Sequence, residues 1–141
     1  MSVQLNERVR AVVDSGRLAH FTTVAKDGRP HTTIVWVGMA GDEIHIGKLA
    51  PDQKLANLAR DNRVSLSIEA DGEDMGMQHY VVVEGTAEVT EGGAPALLRE
   101  YAQRYIGPGA EFPPMPDPPD GFIIRVTPTK VRGHGPWDGP T

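Results

Sequence analysis

The pentapeptide KDGRP at residues 26–30 limits this chain more than any other feature. Asp27 and Gly28 supply the positive φ angles that a tight hairpin turn demands, and LAHFTTVA and HTTIVWVGMA flank them with β-branched, alternating residues. Two neighbouring antiparallel strands follow directly. Gly41 and Asp42 then turn the chain into EIHIGKL, where Ile44 and Ile46 point one way and His45 and Gly47 the other. Three strands arriving through short turns exclude a parallel sheet, whose strands need long crossovers.

The rest of the sequence extends that pattern. RVSLSIEA places Val64, Leu66 and Ile68 on one face and Ser65, Ser67 and Glu69 on the other. Asp71, Gly72, Glu73 and Asp74 read as an acidic, mobile turn without the ordered alternation of a calcium loop. YVVVEGTAEV is a long strand in which Gly85 marks a bulge or a close backbone approach, and GFIIRVTP with TKVRG supplies one or two closing strands. Three helices interrupt the strands. The first occupies 1–16 and buries Leu5, Val9 and Val12; the second has Pro51 at its first helical position and buries Leu55, Leu58 and Ala59. In the third, over 94–106, Leu97, Leu98, Tyr101 and Tyr105 recur at helical spacing. Six prolines forbid regular structure over 108–119, so 107–120 is expected to be an extended surface loop that closes over a ligand or a neighbouring subunit, or else a disordered connector. A tail occupies 133–141. The expectation is a single domain over 1–141, mainly β: an antiparallel barrel of six to seven strands with helices plugging its ends.

Composition removes several function classes. With no cysteine there are no disulfides, iron–sulfur ligands or thiol nucleophiles, which fits a reducing cytoplasm. A net charge of −5 with scattered Lys and Arg gives no basic stripe for nucleic acid. No stretch has the apolar length of a membrane span, and the opening residues are charged and amphipathic rather than a leader. The five histidines, His20, His31, His45, His79 and His134, show no short metal-ligand spacing, so no metal is expected. There is no serine elbow and no glycine-rich phosphate loop.

One junction does suggest chemistry. A helix entered directly from a strand turns unpaired backbone N–H groups toward the strand end, where they attract an anion. Gly47, Lys48, Leu49, Ala50 and Pro51 form such a junction, with Gly47 admitting a ligand to the backbone, Lys48 adding charge, and Lys54 and Asn57 one turn inside the helix. The alternative is that Lys48, Lys54 and Asn57 are ordinary solvated residues. Thr22, Thr23, Thr32 and Thr33 gather on the hairpin and can hydrogen-bond a flat heteroaromatic ring, although threonine is equally a favoured strand residue. Trp36 either packs against such a ring or fills the core, and core is the preferred reading.

Taken in order, DGRPHTTIVW, IHIGKLAPDQKLANLARDNRVSLSIE and YVVVEGTAEV resemble the split β-barrel family of pyridoxamine-phosphate-oxidase-like, FMN-binding and deazaflavin proteins, over 18–89 and again over 122–132. Within it the short form is similar to the actinobacterial deazaflavin-dependent reductases, which use coenzyme F420 and commonly form homodimers with two sites at the interface. The resemblance implies a cofactor ring lying along the second strand near His31, Thr33 and Val35, with Gly47, Lys48 and Pro51 lining the strand-to-helix turn. Lys54 becomes the phosphate or carboxylate contact, Asn57 supports it, and Gln78 approaches from the partner subunit. It implies hydride transfer to an electron-poor conjugated molecule, with FMN chemistry or a non-catalytic carrier as the alternatives. No catalytic side chain is required; His31 or His79 is a candidate proton donor, and solvent serves equally well. Two departures bear on the site: Lys48 stands beside a position that carries a hydroxyl in many relatives, and Asp52 replaces an arginine found in some, an acid that would repel phosphate. Arg132 and His134 share the Arg-x-His spacing of the true oxidases, read here as coincidence, and Trp137 either shields a cofactor or packs against the partner, with packing preferred.

Overall fold

The structure is a computed structural model describing residues 2–137, so the last four residues of the expected tail lie outside the described part. Helix α1 (Glu7–Val13) precedes strands β1 (Ala19–Val24), β2 (Pro30–Val35), β3 (Gly38–Ala40) and β4 (Glu43–Lys48). Then come α2 (Gln53–Arg60), β5 (Arg63–Asp74), β6 (Met77–Glu91), α3 (Ala94–Tyr105) and β7 (Phe122–His134). The strands form one seven-stranded antiparallel sheet of order β2-β1-β5-β6-β7-β4-β3. This is the expected mainly β architecture, and its chain order explains its shape. The outermost strands, β2 and β3, are consecutive in sequence with only Trp36 and Val37 between them. Three Cα steps of about 3.8 Å keep those edges within roughly 11 Å of each other. The sheet therefore has to wrap round on itself, and among the described residues no ladder joins β2 to β3. The barrel is split along that seam.

The seam carries its own polar solution. Val37 is fully buried at the break, where no strand can accept its N–H. The Tyr105 hydroxyl accepts that N–H at 2.9 Å and shares its proton between the carbonyl oxygens of Arg17 and Val37, at 3.0 and 3.1 Å. Inside the barrel, Phe21, Ile44, Ile46, Leu66, Ile68, Val81, Val83, Ile124 and Val126 form the core. Each such side chain contributes on the order of 1.5–3 kcal/mol by leaving water.

Helix α1 closes one end of the barrel. It is shorter than 1–16 because Asn6 caps it, its side-chain oxygen accepting from Val9 N–H at 3.0 Å, and because Asp14 ends it. Its buried residues are Val9 and Val13, with Leu5 buried just ahead of the cap; Val12 is only half-buried. Within its own chain Trp137 is held by two hydrogen bonds: its Nε1 donates to Tyr80 O at 2.8 Å, and its carbonyl accepts from Asn6 at 2.9 Å.

Two further expectations need correction, and the count of closing strands is resolved. Residues 71–74 are not the turn: the β5–β6 ladder runs on to pair Asp74 with Met77, and the reversal is made by Met75 and Gly76, both at positive φ. The closing segment is one continuous strand, β7, and Gly85 does mark an irregularity opposite it. A Cβ on Gly85 would collide with the Thr127 carbonyl oxygen. Pro51 lies outside α2, because Asp52 adopts extended φ and ψ of −147° and −173° and caps the helix itself.

Candidate functional site

A cleft of about 500 Å³ opens along the seam. One wall is the end of β2, with Ile34, Val35 and Trp36; a second is the β4–α2 turn from Gly47 to Asp52; Leu98 of α3 and Phe112 of the Pro-rich loop supply the others. Trp36 is therefore a wall and not core. Its ring stacks on Tyr105 at 5.2 Å with 13° between planes, and Phe112 tilts against it at 5.2 Å. That contact brings the Pro-rich segment against the cleft, and Gln103 anchors the segment by donating to Ala110 O at 3.0 Å and accepting from Gly109 N–H at 2.7 Å.

The turn into α2 is electrostatically built. Asp52 Oδ2 accepts from Lys54 Nζ at 2.6 Å and pairs with Lys48 Nζ at 2.9 Å, while Oδ1 caps the helix at Leu55 N–H, 3.3 Å away. Burial raises the Asp52 pKa, but the hydrogen bonds and charges of Lys54 and Lys48 outweigh it and hold the carboxyl below its usual value. The acid that would repel an anion is thus neutralised by its neighbours. Two ammonium groups against one carboxylate leave the turn with a net positive charge.

Helix α2 turns a polar face inward, which the apolar stripe expected at Leu55, Leu58 and Ala59 does not describe. Lys54 is 5 % exposed and Asn57 is fully buried, with Leu58 beside them, whereas Leu55 is half-buried and Ala59 is exposed. Lys54 tolerates burial because its alkyl stem packs and its ammonium is paired. Asn57 uses its amide on the scaffold: it donates to Thr23 Oγ1 at 3.0 Å and accepts from Gln53 and Arg60 at 2.8 and 3.1 Å. It fixes α2 to β1 and leaves Lys54 facing the cleft.

His31, Thr33 and Val35 share one face of β2, opposite Thr23, Phe21 and Ala19 of β1. His31 Nδ1 and Thr33 Oγ1 are shut from solvent without a hydrogen-bond partner. Unpaired buried polar atoms are uncommon and call for an explanation, a ligand among them. Of the expected site residues, Val35, Gly47, Lys48, Pro51 and Lys54 line the cleft. Gln78 does not: within this chain it sits near the β5–β6 hairpin tip, donating to Ala70 O at 3.2 Å. Gly47 serves helix packing more than ligand approach, since a Cβ there would meet Leu98 Cγ at 3.0 Å. Sequence reasoning preferred the core for Trp36, and it missed Phe112 as a wall and Asp52 as the hinge of the charge pattern. An acid directly before a helical run is a capping signal, and it would have revealed Asp52.

Residues 5–135 match the family described as pyridoxamine 5′-phosphate oxidase. The chain belongs to that family. Among solved structures it is similar to an F420 reductase, at 25% identity and a TM-score of 0.71, covering 87% of this chain and 94% of that one. A conserved hypothetical protein from Mycobacterium tuberculosis, Rv2991, is 31% identical with a TM-score of 0.73 over 97% of this chain and 86% of that one. A heme binding protein from Mycobacterium smegmatis shares the family fold at 22% identity and a TM-score of 0.64, covering 93% of this chain and 54% of that one. No curated protein matches the chain. The family resemblance carried by the strand and turn motifs is borne out. No helix among the described residues is long and apolar enough to cross a membrane.

Proposed function

We propose that this chain is an oxidoreductase that binds the deazaflavin coenzyme F420 in the seam cleft and reduces an electron-poor, conjugated small molecule. One observation carries the reading: a net cationic turn and an aromatic wall meet at a single cleft, and Val35 of its lining continues along β2 into the face that bears the unpaired His31 and Thr33. Similarity to an F420 reductase supports deazaflavin over other flavins. When bound, the cofactor supplies hydride transfer.

The residues fit such a group. Lys48 and Lys54 offset the charge of its phosphate, and Asp52 holds both ammonium groups in place before the ligand arrives. His31 Nδ1 and Thr33 Oγ1 offer hydrogen bonds to the polar edge of a tricyclic ring lying along β2. Trp36 and Phe112 exclude water from one side. The active assembly in this reading is a cytoplasmic homodimer, with Gln78 reaching the partner's site.

FMN is the second reading, supported by membership of the family described as pyridoxamine 5′-phosphate oxidase. Parallel titrations of the purified protein with F420 and with FMN, with Lys54→Ala alongside, decide between them. We expect tighter binding of F420 and at least a tenfold loss in the variant with its fold intact. Equal affinity of wild type and variant for both ligands would overturn the site. Reduction of conjugated acceptors by protein supplied with reduced F420 distinguishes an enzyme from a carrier, which binds without turnover.

A further inference from the structure

We propose that Asp74, His79 and His134 form a binding site for a divalent transition-metal ion, separate from the seam cleft. The three residues come from three adjacent strands, β5, β6 and β7, and one ligand atom from each lies within 4.8 Å of the others. Asp74 Oδ2 is the shared vertex: His79 Nε2 stands 2.6 Å from it and His134 Nε2 3.5 Å. Around a tetrahedral ion with bonds of about 2.0 Å, ligand atoms sit roughly 3.3 Å apart. The two observed separations bracket that value, so small side-chain adjustments admit an ion.

A hydrogen bond between Asp74 and His79 accounts for only part of this geometry. Asp74 Oδ2 can accept a hydrogen bond from His79, yet His134 Nε2 is shut from solvent and has no hydrogen-bond partner although its side chain is 41% exposed. Its nitrogen is turned toward the carboxylate without bonding it. The backbone also makes room. Gly72 has φ of +111°, the β5–β6 register shifts between Glu69 and Glu73, and a Cβ at 72 would stand 2.5 Å from His79 Nδ1. The irregularity seats the imidazole against the main chain, and the T-shaped packing of the His79 and His134 rings at 5.5 Å orients the second nitrogen.

Two imidazoles and one carboxylate suit zinc, cobalt or iron rather than calcium or magnesium, which prefer all-oxygen shells. Three protein ligands leave room for water or a small anion on the ion, the arrangement of open rather than purely structural sites. Within one chain the site is remote from the cationic turn. Lys48 pairs with Phe122 at the start of β7, and His134 ends that strand 12 steps later, up to about 40 Å along it.

The test uses untagged full-length protein stripped with a chelator and titrated with Zn²⁺ by calorimetry and with Co²⁺ by visible absorption. We expect one equivalent per chain, a cobalt spectrum with nitrogen and oxygen donors, and at least a tenfold weaker affinity in His134→Gln, His79→Gln and Asp74→Asn. His31→Gln, on another strand, retains wild-type affinity. His134→Gln is the decisive variant if substitution at His79 disturbs the hairpin, since His134 lies at a strand end. Absence of stoichiometric binding, or binding unchanged in both His134→Gln and Asp74→Asn, would overturn the proposal.

Discussion

Replacing Tyr105 with phenylalanine isolates the polar contact that stabilises the seam. The ring survives, so the stack on Trp36 at 5.2 Å is kept while the hydroxyl is lost. Val37 N–H then loses its acceptor in a fully buried position, and the carbonyls of Arg17 and Val37 lose a donor. A buried donor left unpaired costs about 1–3 kcal/mol. The missing hydroxyl leaves too small a gap for water to replace it well, so the expected loss is about 2 kcal/mol, or roughly 8 °C in melting temperature for a domain of this size. Urea unfolding followed by tryptophan fluorescence and by circular dichroism measures it, with an unchanged slope showing that the unfolded state is unaffected. A loss below about 0.5 kcal/mol would refute the idea that this hydroxyl stands in for the missing ladder between β2 and β3.

Other outcomes follow from the same geometry. Asp52→Asn keeps a side-chain oxygen that caps the helix and still accepts from a lysine, so the placement of the ammonium groups largely survives while the negative charge between Lys48 and Lys54 is removed; anionic cofactor should bind roughly three- to tenfold more tightly in a titration, a gain of about 1 kcal/mol. Gly85→Ala forces a methyl group into the Thr127 carbonyl and should cost about 1–3 kcal/mol in thermal unfolding. Asp61, whose carboxyl is held down to about 2 by hydrogen bonds from Arg63, contributes stability that is complete above pH 3.8 and disappears as pH falls toward 2. The stability gap between wild type and Asp61→Asn should therefore close over that acid window. Sedimentation should report a dimer; a monomer that binds cofactor with full affinity would remove Gln78 from the site.

The barrel was legible because its signals are local. The KDGRP turn appears as a hydrogen-bonded reversal, with Gly28 N–H donating to Ala25 O at 2.9 Å, and the alternation of Val64, Leu66 and Ile68 is the observed burial pattern. Where sequence reading failed, the deciding interaction lay outside the segment. Helix α2 looked like an apolar stripe on Leu55, Leu58 and Ala59, but its inward face is set by Asp52 and Thr23, which pair Lys54 and Asn57. Residues 71–74 looked like a turn because acids and glycine dominate them, while the pairing of Glu73 with Gln78 belongs to the other strand. The candidate site was half visible: the strand-to-helix junction announces itself in GKLAPDQK, but the aromatic wall depends on Phe112, far along the chain from Trp36. Histidine spacing said nothing of Asp74, His79 and His134, since three strands bring them together and no stretch of chain contains all three.

The Pro-rich segment bounds the cleft from outside both the sheet and the helices. Its sequence can drift, lengthen or exchange aromatic for aliphatic residues without breaking any ladder, whereas a change at Val35 or Gly47 disturbs strand pairing or the seat of α3. Natural variation in what this scaffold accepts should therefore accumulate between Tyr105 and Phe122, leaving the grip on the anionic end in place while the opposite rim is remodelled.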